Sequence, residues 1–102
     1  MAENIVKGLV ALSLTLAFGA ASQAQDVQER YQRSCAVCHA SGAAGAPKTG
    51  SAEQWAPRLE KGMDALVESV EKGLNAMPPK GMCFDCSSED YAALIALMAE
   101  AK

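Results

Sequence analysis

Residues 35–39 read Cys35-Ala36-Val37-Cys38-His39, and the chain has no other histidine. Cys-x-x-Cys-His is the attachment signature of c-type haem. Two thiols three residues apart form thioethers to the two vinyl groups on one edge of the porphyrin. The imidazole that follows, on the same helical turn, points at the iron from the proximal face. With four Cys and one His in 102 residues, chance placement of Cys at both required positions occurs about once in 850 arrangements. A zinc site built from two C-x-x-C pairs is the other reading; it leaves His39 without a role and conflicts with export to an oxidising compartment. The motif therefore predicts one covalently attached haem.

Upstream, Val6 to Ala21 (VKGLVALSLTLAFGAA) is an almost unbroken apolar run, with Lys7 near its start and Ser22-Gln23-Ala24 behind it. A short basic start, an apolar stretch and a small-x-small ending predict a secretory signal peptide over residues 1–24, cut after Ala24. The run is shorter than the roughly 20 residues that span a bilayer. Retention as a membrane anchor is the alternative, since Glu3 opposes Lys7. Cleavage leaves one domain, residues 25–102, with the net charge of −3 unchanged. Nothing in that charge suggests a nucleic-acid partner, which would want a basic patch.

Downstream the pattern is all-helical, with no alternation that would make a strand. Asp26 is placed to cap a first helix that carries Val27, Tyr31 and Cys35 on one face. Ala40 to Gly50 is a loop of small residues. Ser51, followed by Gln54, predicts a short helix around Trp55, with Pro57 in or near its first turns. Met63, Leu66, Val67, Val70 and Leu74 form the stripe of a third helix, ending near Lys72-Gly73. Asn75 to Cys86 (NAMPPKGMCFDC) is loop. Ser87 with Asp90 caps a last helix to about Ala101, packing through Leu94, Ile95, Leu97 and Met98. Four short helices leave a small domain little core. A large apolar cofactor in the middle supplies one.

The sixth iron ligand decides what such a haem does. A second His is excluded, and four Met follow the motif. Met63 and Met98 fall on apolar helix stripes and read as packing. Met77 lies in a loop stiffened by Pro78 and Pro79, which suits a fixed thioether; Met82 and an open iron are the other readings. A His/Met pair gives an electron carrier, because a soft neutral thioether favours the ferrous state and no position remains for oxygen. An open iron would suit a gas sensor or haem enzyme.

Cys83-Phe84-Asp85-Cys86 has three readings: a redox-active dithiol, a metal half-site, or a structural disulfide. Asp85 between the sulfurs, with Glu89 and Asp90 following, disfavours a thiolate. In an oxidising compartment a disulfide is expected. Closing so short a loop contributes at most about 2 kcal/mol, so its use is to fix the loop that carries Met77.

From about Tyr31 to Met98 the chain resembles the cytochrome c5 family of small bacterial c-type cytochromes. The resemblance rests on Cys35-Ala-Val-Cys38-His39, Gly42-Ala-Ala-Gly-Ala-Pro47, Trp55-Ala-Pro-Arg58, and Asn75-Ala-Met77-Pro-Pro-Lys-Gly81 followed by Cys83-x-x-Cys86. It implies a small cytochrome c fold, about four short helices around one haem c, and a protein that transfers electrons without being an enzyme. It implies thioethers at Cys35 and Cys38, axial ligands His39 and Met77, and a Cys83–Cys86 disulfide. Pro47 matches the proline whose carbonyl accepts the proximal His proton, and Tyr31 the aromatic that packs on the C-terminal helix near Tyr91 and Leu94. Trp55 and Arg58 lie where haem-propionate contacts are made; plain packing and a solvated charge are their other readings. The resemblance further implies a periplasmic carrier in a respiratory chain, released or associated with the membrane. Its donor is then a quinol-oxidising complex, and its acceptor a terminal oxidase or reductase. Small uncharged residues from Ala40 to Pro47 offer a weakly polar rim for brief docking.

Overall fold

The computed structural model describes residue 24 and residues 26–101. The leader expected over 1–24, with its cleavage point, lies outside the described residues apart from Ala24. Four helices succeed one another, and no named strand occurs among the described residues: α1 over 26–39, α2 Ala52–Leu59, α3 Met63–Lys72 and α4 Ser88–Ala99. Short 3-10 turns, Ala43–Gly45 and Pro79–Met82, punctuate the loops. No helix among the described residues is long and apolar enough to cross a membrane.

Each boundary has a local cause. Ser87 and Asp90 form a complete capping box at the start of α4: the Asp90 N–H donates to Ser87 Oγ at 3.2 Å, and the Ser87 N–H donates to Asp90 Oδ2 at 2.8 Å. The backbone hydrogen bond from Ser87 holds the Asp90 carboxyl below its ordinary 3.8. Ser51 caps α2 through the Gln54 N–H. Glycines close α3 on both sides, Gly62 at φ +93 and Gly73 at φ +87, a region that side chains with a Cβ avoid.

The structure departs from the sequence pattern in three places. Asp26 is itself helical, so it does not cap α1. Pro57 sits in the last turn of α2, not its first; lacking an N–H, it forfeits one bond to the preceding turn. Leu74 is not the end of the α3 stripe. Gly73 breaks the helix before it, and Leu74 stands 52% exposed on the next turn.

The core gathers Tyr31 of α1, Trp55 of α2, Val67 of α3, Cys83, and Tyr91, Leu94, Ile95 and Met98 of α4. Tyr31, Tyr91 and Leu94 share this cluster, as expected of the α1–α4 contact. Met63 packs against it from α3. Arg30 of α1 pairs with Asp90 of α4 at 3.3 Å, beside the capping box. The crossing of α1 and α4 is thus fixed close to the residues of the motif.

Candidate haem-attachment site

α1 does not reach the motif as a plain α-helix. Tyr31–Cys35 form a π-helical turn, and the Ala36 N–H reaches back to the Tyr31 carbonyl, five residues away. Such wide turns cluster at functional sites. This one puts an extra residue into the turn that delivers Cys35, while Tyr31 stays in the core. The next turn, Ala36–His39, presents Cys38 and His39.

Cys35 and Cys38 are both free thiols; Cys35 is half-buried and Cys38 exposed. Burial pushes the Cys35 thiol up to about 11. His39 is the one buried side chain of polar or charged type among the described residues. Its Nδ1 lies 2.8 Å from the Pro47 carbonyl oxygen. A carbonyl can only accept, so Nδ1 carries a proton, and in the neutral imidazole Nε2 is the nitrogen with the lone pair. The tautomer needed by a metal ligand is thereby set by a backbone atom eight residues on.

The 46–50 segment that supplies this carbonyl is held at several points. Left-handed residues Gly42, Ala44 and Gly45 fold the loop back toward α1. The Thr49 N–H donates to the His39 carbonyl at 2.8 Å, and the Tyr31 hydroxyl donates to Thr49 Oγ1 at 2.9 Å. The Lys48 N–H donates to Gln54 Oε1 at 2.8 Å, and the Trp55 indole N–H donates to the Lys48 carbonyl at 3.0 Å. The Gly50 N–H donates to the Met98 carbonyl at 2.8 Å, closing the loop onto α4. The Trp55 ring also stacks on His39, centroid to centroid at 5.9 Å. Arg58 donates to the Gln54 carbonyl within its own helix at 2.6 Å.

Met77 is carried by a separate tight turn. Leu74 and Met77 exchange both backbone N–H···O=C bonds, at 3.0 and 2.8 Å, around Asn75 at φ +54. A Cβ on Gly73 would come within 3.0 Å of the Met77 carbonyl oxygen and the Pro79 nitrogen. A Cβ on Gly81 would meet Met77 Cε at 3.0 Å. Two glycines therefore make room for the backbone and the thioether of Met77. Met82 is placed differently. It stands 57% exposed, at φ +69, with its carbonyl accepting from Ser34 at 3.4 Å.

Cys83 and Cys86 are joined as a disulfide, with Cα atoms 5.5 Å apart. Asp85 lies beside the two sulfurs, but sulfurs bonded to each other offer no thiolate to a metal. The pair sits directly after the Met77 segment, and Cys83 is buried with its carbonyl accepting the Tyr91 hydroxyl at 2.8 Å. α4 thus anchors the disulfide loop from below. The exposed Arg33–Asp85 pair, at 3.4 Å, links it to α1.

These residues fit covalently attached haem: two unpaired thiols one turn apart, and beside them an imidazole with Nδ1 committed and Nε2 available. Sequence reasoning did not find Gly73, Gly81 or the hold on Lys48 and Thr49. Gly73 was legible only as a helix end.

Comparison with known proteins agrees with that fit. Residues 22–98 match the family model described as cytochrome c oxidase, cbb3-type, subunit III. Cytochrome c5 of Azotobacter vinelandii is 42% identical over 82 residues, 78% of this chain and 95% of that protein. A mono-haem ferrocytochrome c from Shewanella putrefaciens, solved by NMR, superposes with a TM-score of 0.68 at 56% identity, covering 76% of this chain and 96% of that one. A crystal structure of an electron transfer complex of nitrite reductase with cytochrome c matches with a TM-score of 0.64 at 44% identity, over 71% of this chain and 88% of that one. With its Cys-x-x-Cys-His motif, its helical fold and its extra Cys pair, the chain belongs to the cytochrome c5 family of small monohaem c-type cytochromes, which carry electrons on covalently attached haem c.

Proposed function

We propose that this protein is a periplasmic one-electron carrier between respiratory components, with its haem held by Cys35 and Cys38 and ligated by His39 and Met77. Haem supplies, when bound, an iron that gains and loses one electron with no bond made to a substrate. The chain supplies the rest. His39 offers the Nε2 lone pair, and the Pro47 carbonyl makes that imidazole a better donor by drawing on the Nδ1 proton. Met77 offers a soft, neutral thioether that favours the ferrous state. Its turn, braced by Leu74 and roomed by Gly73 and Gly81, keeps the sulfur in one place, and little movement between redox states means fast transfer. The disulfide between Cys83 and Cys86 steadies the end of that segment. Arg58 remains the propionate partner to test.

The observation that carries this reading is the 2.8 Å bond between His39 Nδ1 and Pro47, with His39 directly following a free thiol pair. The expected leader over 1–24 supports export, with the carrier either released or held at the membrane surface. A quinol-oxidising complex is the donor we propose, and a terminal oxidase or reductase the acceptor. The solved complex of a related cytochrome c with nitrite reductase supports the second half.

The test is the visible and near-infrared spectrum of the haem-loaded protein in both redox states. We expect Met77→Ala to lose the sulfur-to-iron signature and to bind carbon monoxide when reduced, and Met82→Ala to do neither. The reverse pattern, or a colourless wild-type protein from a host that attaches haem, refutes the reading.

A further inference from the structure

We propose that Trp55 is a positioning residue for the axial imidazole, acting through the backbone of Lys48 and through its own ring. The inference rests on the reading of His39 as an iron ligand and extends it. An Nδ1–H···O=C bond is only as constant as the carbonyl that accepts it. The Pro47 carbonyl shares one peptide plane with the Lys48 N–H, which donates to Gln54 Oε1 at 2.8 Å, so it is placed by what holds Lys48 and Thr49. The adjoining Lys48 carbonyl accepts the Trp55 indole N–H at 3.0 Å, and the Thr49 hydroxyl accepts that of Tyr31 at 2.9 Å. Both donors are aromatic side chains buried in the core, 4% and 7% exposed, so neither can follow the loop outward.

The same indole stacks on His39 at 5.9 Å with 28° between the planes. It therefore limits tilting of the imidazole on one face while fixing the Lys48 carbonyl, in the peptide next to the one that receives its proton. An indole has a single N–H, and here Lys48 takes it. The role is separate from any contact to a haem carboxylate. Its chemical consequence has a definite sign. A firmly held Pro47 carbonyl raises the basicity of the imidazole and so favours the ferric iron. Loosening that carbonyl moves the reduction potential upward.

The test compares haem-loaded wild type with Trp55→Phe, which keeps an aromatic ring and removes the N–H. Two quantities are read: the reduction potential, and the exchange rate of the His39 Nδ1 proton by NMR. We expect exchange about fivefold faster, the factor that one net hydrogen bond carries, together with a higher potential. Tyr91→Phe is the control, since it removes a buried hydroxyl that donates at 2.8 Å to the Cys83 carbonyl, a contact with a different loop. It should lower the unfolding midpoint and leave exchange of the His39 proton unchanged.

Unchanged exchange and potential in Trp55→Phe overturn the proposal, and so does equally fast exchange in Tyr91→Phe. Should Trp55→Phe fail to assemble, Tyr31→Phe removes the neighbouring hold on Thr49 and must accelerate the same proton; if it does not, the proposal falls. A wild-type spectrum without His ligation refutes the ligand assignment instead, and is seen before any variant is made.

Discussion

Gly62 and Gly73 bracket α3 in nearly the same backbone geometry, φ +93, ψ 147 and φ +87, ψ 156, so alanine at each separates strain from collision. That corner of φ/ψ space is close to the preserve of glycine, and holding another residue there costs about 1–3 kcal/mol. A Cβ on Gly62 meets nothing within 4 Å, whereas one on Gly73 lies 3.0 Å from Met77 O and Pro79 N and 3.1 Å from Pro79 Cδ. The first two of those atoms are backbone and the third is locked in a ring, so the Met77 turn must move. Overpacking of this kind adds about 1–3 kcal/mol. For a domain of this size each kcal/mol shifts the midpoint by roughly 4–8 °C. Gly62→Ala should then melt roughly 10 °C below wild type and keep the sulfur-ligated spectrum proposed for wild type. Gly73→Ala should melt roughly 20 °C below and lose that spectrum, even at temperatures where it is folded. Thermal unfolding of the haem-loaded proteins, followed by circular dichroism beside near-infrared absorption, measures both. Equal losses of midpoint in the two variants, with the sulfur signature intact in both, would refute the steric account of Met77.

Other perturbations have equally definite outcomes. Cys83→Ser combined with Cys86→Ser should lower stability by about 2 kcal/mol, the entropy of a short closed loop, with the redox couple largely intact on voltammetry. Ser87→Ala removes half of the α4 capping box and should lower urea-unfolding stability by about 1 kcal/mol. The Asp90 carboxyl is held below 3.8, so its contribution is full above that pH and lost as pH falls through the lower folded-state value. Acid titration of wild type against Asp90→Asn should show the two stability curves converging below about pH 4. Replacing Cys35 and Cys38 by Ala removes the haem and leaves, among the described residues, a core of eight buried apolar side chains. Near-UV dichroism of that variant should be featureless, as in a molten state.

What the sequence revealed of this molecule depended on how local each signal was. The thiol–imidazole motif, the Ser51 and Ser87 caps and the Lys72-Gly73 stop are read within four or five residues, and each is found in place. The π-helical turn at Tyr31–Cys35 was not legible, because residues at spacings of four suit an α-helix equally well and nothing local marks the wider turn that leaves Tyr31 in the core. Leu74 was misplaced for a related reason. Periodicity counted it on the α3 stripe, while a single glycine at positive φ turned the chain one residue earlier. The support of Pro47 was least visible of all. Tyr31 and Trp55 act on Thr49 and Lys48 across 18 and 7 residues, and no spacing rule links them.

Trp55 is the chain's sole tryptophan, and its ring packs against His39 in the core. A fluorophore that close to a haem passes its excitation to the porphyrin and stays dark. Once unfolding carries the two apart, it lights. The protein thus has its own optical gauge, and the intensity of one band follows separation of the indole from the cofactor without a label.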